Sequence, residues 1–72
     1  MAVSYNKLWK ILIDKKMNKK QLAVLAGVSA PTLTKMAKDE NVNTEILVRI
    51  CKSLNVNIGD IIDVVPDGTD EY

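Results

Sequence analysis

Two clusters of residues in this chain carry groups suited to recognition chemistry. Asn18, Lys19, Lys20 and Gln21 stand in a row, two ammonium groups between two amides. Such a set suits an anion, above all phosphate. Further on, Thr32, Thr34 and Lys35 offer hydroxyls and another ammonium, groups that can donate to or accept from the edges of nucleobases. Threonine and lysine are equally at home on an ordinary polar helix face, so the residue types alone leave both readings open. Catalysis has far less to work with. There is no histidine, and Cys51 is the only cysteine, so no internal disulfide or zinc site built within the chain is expected, and the thiol has no base partner. Asp60 and Asp63 fit helix capping and surface better than acid–base work. No catalytic residue, metal or cofactor is expected.

The net charge of +1 hides a division along the chain. Residues 1–38 hold eight lysines against Asp14 alone, a net of +7, whereas residues 39–72 carry a net of −6. A basic half of this kind can present a face to an anionic partner, or it can be a solubilising lysine surface. The length of 72 residues bounds the chain to one small domain, close to the size at which a single core is only marginally stable. Its apolar runs fall far short of the roughly 20 residues that a membrane helix needs. Met1-Ala-Val-Ser opens directly into an amphipathic segment without a signal-peptide pattern. A cytoplasmic protein is expected.

The elements that position these residues announce themselves by their starts. A capping side chain satisfies an orphan backbone N–H, and an apolar residue just before it can staple onto the fourth helical position. The arrangement recurs as Val3-Ser4…Leu8, Met17-Asn18…Leu22, Val28-Ser29…Leu33, Val42-Asn43…Leu47 and Val56-Asn57…Ile61. Asn18 with Gln21, and Asn57 with Asp60, also form capping-box pairs. These five starts predict an all-α fold with helices over 4–16, 18–26, 29–38, 43–54 and 57–63. Leu8, Ile11 and Leu12 are expected inside from the first helix, Leu22, Leu25 and Ala26 from the second, and Leu33 and Met36 from the third. Leu47, Ile50, Cys51 and Leu54 make the core stripe of the fourth. Asn55 suits a left-handed cap, and Val56, Ile58, Ile61 and Ile62 close the core below it. Pro66 forces Asp63-Val-Val-Pro66 to be extended, so residues 1–66 form the domain and residues 67–72 a disordered acidic tail.

Between the second and third helices, Gly27 can take the positive φ of a tight turn, and Ala23 lets the two helices cross closely. That is the layout of a helix-turn-helix, whose second helix can enter the DNA major groove. With Leu33 and Met36 inside, Ala30, Pro31, Thr34, Lys35 and Lys38 point outward and Thr32 lies at the N-terminal edge. Thr32 and Thr34 can hydrogen-bond bases, Lys35 can donate to guanine, and Ala30 or Pro31 can touch a thymine methyl. At the start of the second helix Asn18, Lys19, Lys20 and Gln21 would hold a phosphate, with Asn18 foremost a cap and Lys19 the better ligand. Ser29, Lys38 and Asn41, or Asn43 in place of Asn41, complete the expected backbone contacts, although Asp39 and Glu40 oppose close approach by the loop that carries the two asparagines.

Three stretches carry a family resemblance: Asn18-Lys-Lys-Gln-Leu-Ala, then Ala26-Gly-Val-Ser-Ala-Pro-Thr-Leu-Thr-Lys-Met, then Leu47 to Ile62 with its Gly-Asp-Ile-Ile ending. Over about residues 4–66 the chain resembles the Xre/Cro-type helix-turn-helix family, which includes the phage lambda repressor and Cro, and most of all its compact single-domain branch. The resemblance implies a five-helix fold, dimeric binding to operator DNA and transcriptional repression. It places the helix-two phosphate contact on Lys19, the start of the recognition helix on Ser29, Ala30, Pro31 and Thr32, and the deeper reading position on Lys35. Two departures stand out. Ala30 and Pro31 occupy positions where many relatives carry glutamine, arginine or another long polar residue, which implies a short or degenerate site. Lys38-Asp-Glu-Asn replaces the Asn-Gly-Lys common after the recognition helix.

One helix-turn-helix reads a half-site, so a homodimer on double-stranded DNA is expected, with half-sites roughly 34 Å apart. Two segments could join the copies: Asp63-Val-Val-Pro66 as a strand, or Tyr5, Trp9 and Ile13 as an exposed stripe. Packing of that stripe within the chain, against the C-terminal segment, is the favoured alternative. The resulting expectation is a repressor without membrane attachment or small-molecule effector. The competing function is a protein-interaction module of the same fold, antitoxin-like or a partner subunit.

Overall fold

The computed structural model describes residues 2–65. Pro66 and the expected acidic tail at 67–72 lie outside the described residues. The element order is β1 (Ala2–Ser4), α1 (Asn6–Asp14), α2 (Lys19–Ala26), α3 (Ala30–Ala37), α4 (Thr44–Leu54), a 3₁₀ turn (Ile58–Asp60) and β2 (Asp63–Val65). The expected all-α, five-helix fold is thus corrected, among the described residues, to four α-helices, one 3₁₀ turn and a small two-stranded sheet.

Three of the five expected helix starts hold in full. Asn18 Oδ1 accepts from the Gln21 N–H at 2.7 Å, and Gln21 Oε1 accepts from the Asn18 N–H at 2.9 Å, closing a capping box at α2. Ser29 Oγ accepts from the Thr32 N–H at α3, and Asn43 Oδ1 from the Ile46 N–H at α4. The helix ends are equally explicit. Gly27 closes α2 with φ 69°, Asn55 closes α4 with φ 55°, and Lys16 and Asp39 take the same left-handed turn after α1 and α3. Lys16 therefore lies beyond the first helix, which ends at Asp14.

The first and fifth starts differ from expectation for one shared reason, the sheet. Ala2, Val3 and Ser4 pair antiparallel with Val65, Val64 and Asp63. Ser4 is consumed by β1, and Tyr5 becomes the residue before α1, without a side-chain cap. At the other end, the Ile61 and Ile62 amides both return to the Ile58 carbonyl and the turn stops. Ile61, Ile62, Val64 and Val65 are β-branched and favour the extended backbone that β2 then adopts. The expected Asn57–Asp60 capping box is nevertheless present at the start of this turn, with the Asn57 N–H donating to Asp60 Oδ2 at 3.0 Å. Lys7 ties α1 to this region, with Nζ 3.0 Å from Asp63 Oδ1 and donating to the Gly59 carbonyl at 3.1 Å.

One core joins the four α-helices: Tyr5, Leu8, Leu12, Leu22, Ala26, Val28, Leu33, Met36, Leu47, Ile50, Leu54 and Ile61. Ile11, Cys51, Val56 and Ile62 pack on its rim instead of inside it. Two further expectations are corrected here: Leu25 is 55% exposed and Ile58 43% exposed. In an eight-residue helix Leu22 and Ala26 already form the buried row, and Leu25 falls on the flank beside the exposed Val24.

Tyr5 is the buried polar anchor. Its hydroxyl donates to the Glu40 carbonyl at 2.9 Å, and its backbone N–H donates to Asp39 Oδ1 at 3.3 Å. The loop after α3 is thereby pinned to the start of α1. Burial raises the phenol above its usual range; a hydrogen bond from the Val42 backbone offsets part of this and the Asp39 charge adds to it. A raised native pKa means that the unfolded chain loses its phenolic proton first, so the contribution of Tyr5 to stability is constant below pH about 10 and falls as pH rises above it. Denaturant titrations between pH 8 and 11.5 are expected to show that decline in the unaltered protein and a weaker one in Tyr5→Phe. The variant should also start lower by about 1 kcal/mol for the lost hydrogen bond. Equal declines in both would remove Tyr5 as the cause.

Candidate nucleic-acid interface

The residues expected to contact DNA fall into three places. The first is a groove between α2 and α3, lined by Lys19, Lys20, Ala23, Val24, Ala30, Leu33, Thr34 and Ala37. It brings the two lysines of the α2 start together with one row of the α3 surface. Ala30, Thr34 and Ala37 share that row by helical spacing, while Pro31, Lys35 and Lys38 form the next row outward. All six are exposed, and Thr32 is half-buried at the N-terminal edge.

The second place is the α2 cap itself. Asn18 and Gln21 spend their carbonyl oxygens on the capping box, so what each amide retains for a ligand is its NH2 group. Lys19 is held differently. Its Nζ lies 4.8 Å from the centroid of the Trp9 ring, over the ring of the α1 residue. This cation–π contact restrains a flexible side chain at the helix N-terminus, where free N–H groups also favour an anion. Trp9 shares a neighbouring depression with Leu12, Ile13, Met17, Asn18, Lys19 and Lys20.

The third place is the loop after α3, and here Asn41 parts from the others. It lines a depression with Ala2, Val3, Asp39, Glu40 and Val64, beside the sheet. Lys38 sits at the end of α3, where its N–H bonds the Lys35 carbonyl at 3.0 Å.

The hydroxyls on α3 are less available than their residue types suggest. Ser29 Oγ and Thr32 Oγ1 lie 2.8 Å apart in a hydrogen bond within the cap. Thr34 Oγ1 donates to the Ala30 carbonyl at 3.1 Å. Pro31 stands at the second helical position, where its missing N–H costs nothing.

Sequence reasoning passed over two residues that shape this site. Arg49 Nη1 donates to the Gly27 carbonyl at 3.2 Å, while its Nη2 holds Glu45 Oε1 at 2.7 Å, so α4 clamps the turn between α2 and α3. Trp9, counted as part of an apolar stripe, instead orders Lys19. That stripe is in fact divided: Tyr5 is in the core, Trp9 is half-buried and Ile13 is 73% exposed. Asp63–Val65 pairs with β1 of the same chain. Cys51 lies on the core rim with its thiol pushed up by burial and by the Asp60 charge, the reverse of an activated nucleophile. Among the described residues, no group of three or more His, Cys, Asp or Glu is placed to hold a metal ion, and no helix is long and apolar enough to cross a membrane.

This architecture has a solved counterpart. The crystal structure of the transcriptional regulator VanUg, form II, superposes with a TM-score of 0.88 at 50% sequence identity, over 92% of this chain and 88% of that one. No match is found among curated proteins. Residues 7–67 match the family model for the Cro/C1-type helix-turn-helix DNA-binding domain. With α2, the Gly27 turn and α3 inside that span, the chain belongs to the Cro/C1-type helix-turn-helix DNA-binding domains.

Proposed function

We propose that the protein is a transcriptional repressor that binds operator DNA as a homodimer, with α3 in the major groove. The observation that carries this is the shared groove: Lys19 and Lys20 at the α2 start flank the exposed row Ala30, Thr34 and Ala37 of α3. A duplex whose phosphate sits at the α2 N-terminus then presents its base edges to α3. In this reading Asn18, Lys19, Lys20, Gln21, Ser29 and Lys38 hold backbone, and Ala30, Pro31, Thr32, Thr34 and Lys35 face bases. Asn41, beside the sheet, is the weakest backbone contact. The similarity to a protein described as a transcriptional regulator supports the regulatory role.

A second reading has an observation of its own. Val24 is 81% exposed and Leu25 55% exposed on α2, an apolar flank that a protein partner could cover. It describes an interaction module of the same fold, antitoxin-like or a partner subunit. Selection of bound sequences from a random duplex pool at physiological salt separates the two. The repressor is expected to enrich a palindromic motif with half-sites one helical turn apart, and its affinity should fall with salt by about 0.9 in log–log slope per phosphate neutralised. No enriched motif, with retention indifferent to salt, would leave the interaction module standing.

A further inference from the structure

We propose that α3 reads its site chiefly through the 5-methyl groups of thymine, with Lys35 as the principal donor to a base. This rests on the DNA-binding function proposed above and gives that function a chemical preference. Each hydroxyl of the leading α3 residues already makes a hydrogen bond inside the protein. Ala30 and Pro31 have no polar side-chain atom. The Thr34 proton goes to the Ala30 carbonyl at 3.1 Å, and the Thr32 hydroxyl is bonded to Ser29 Oγ at 2.8 Å. Ala30, Pro31 and Thr34 are all exposed, and the groups they bring to this turn include a methyl, a pyrrolidine ring and a γ-methyl. The row continues into the α2–α3 groove through Ala23, Val24 and Ala37, with Lys19 and Lys20 at its rim. An apolar strip edged by ammonium groups complements the major-groove edge of a thymine-bearing duplex, where methyls project between phosphate backbones. Cytosine and guanine offer no such methyl, so an unmethylated G·C step at these positions would leave the strip facing polar edges.

The test uses the full chain and synthetic duplexes of the motif enriched from the random pool, with each thymine replaced in turn by deoxyuridine. That exchange removes one methyl and keeps every hydrogen-bonding atom. Fluorescence anisotropy at fixed salt is expected to show an affinity loss of about three- to fourfold per contacted methyl, at two or more positions in each half-site. Thr34→Val, which keeps a methyl and removes the hydroxyl, should keep the sensitivity to deoxyuridine at every position that shows it in the unaltered protein. Thr34→Ser, which keeps the hydroxyl and removes the methyl, should bind more weakly and lose that sensitivity at one position. Duplexes that bind equally tightly with and without their methyls would overturn the proposal while leaving DNA binding intact, as would a Thr34→Val protein that loses its preference. Failure of every duplex to bind would overturn the function beneath it as well.

Discussion

Lys19→Glu is expected to release the protein from duplex DNA at salt concentrations where the unaltered chain is still retained. The substitution removes a cation that Trp9 holds in place and sets an anion against the phosphate at the same spot. Its effect on folding should run the other way, because an acidic residue in the first turn of a helix is favoured by the free N–H groups there. Unfolding therefore cannot account for the loss, and an unchanged or raised Tm would document that. Lys19→Gln is the milder partner: it should weaken all duplexes alike and flatten the salt dependence by about one unit of slope. Trp9 is the sole tryptophan, so its emission should change when a phosphate draws Lys19 from the ring. A Lys19→Glu protein with unaltered affinity and salt slope would show that α2 does not meet the backbone through this residue.

Leu22→Ala should have the largest effect on the fold. Leu22 is fully buried on α2, whose packing sets where Lys19 and Lys20 stand. Truncating a buried leucine costs about 2–5 kcal/mol, a large share of what a domain this small possesses. In thermal unfolding that corresponds to a fall in Tm on the order of 10–30 °C. Val24→Ala, one turn face away and 81% exposed, should leave Tm nearly unchanged. Comparable shifts from the two would mean that the α2 faces are assigned wrongly.

Much of this was legible in the residues, for reasons that differ by element. Asn18, Ser29 and Asn43 act locally: a cap binds a backbone N–H two or three residues on, so sequence spacing alone specifies it. Gly27 and Asn55 were legible for the same reason, since a left-handed end needs a residue that tolerates it. The sheet was not legible. Its strands are three residues each, and each pairs with a segment at the far end of the chain. Once the ends pair, Ser4 is no longer a cap and Ile61 to Asp63 no longer end a helix, so both departures have one non-local cause. Leu25 failed differently. Periodicity gives the direction of a face but not its width, and a short helix crossed by one neighbour buries only a narrow row.

The candidate site shows the same division. That Ala30, Pro31, Thr34, Lys35 and Lys38 lie outward follows from helical spacing and holds in the structure. How their polar atoms are used does not follow from spacing. The Thr34-to-Ala30 bond depends on a rotamer, and the seat of Lys19 on Trp9 depends on how α1 crosses α2. Arg49 reaches the Gly27 carbonyl across 22 positions of sequence, and nothing local to either residue reveals it.

The pairing of Ala2–Ser4 with Asp63–Val65 has a consequence for how the molecule assembles in time. It closes a loop of roughly sixty residues, whose entropy must be paid before three short pairs can repay it. The helices, by contrast, form from contacts between near neighbours, which are the quick ones. Folding should thus build α2 and α3 first and seal the ends together last. In the finished protein the seam is expected to open first on heating, which hydrogen exchange at its amides ahead of those of α2 and α3 would show.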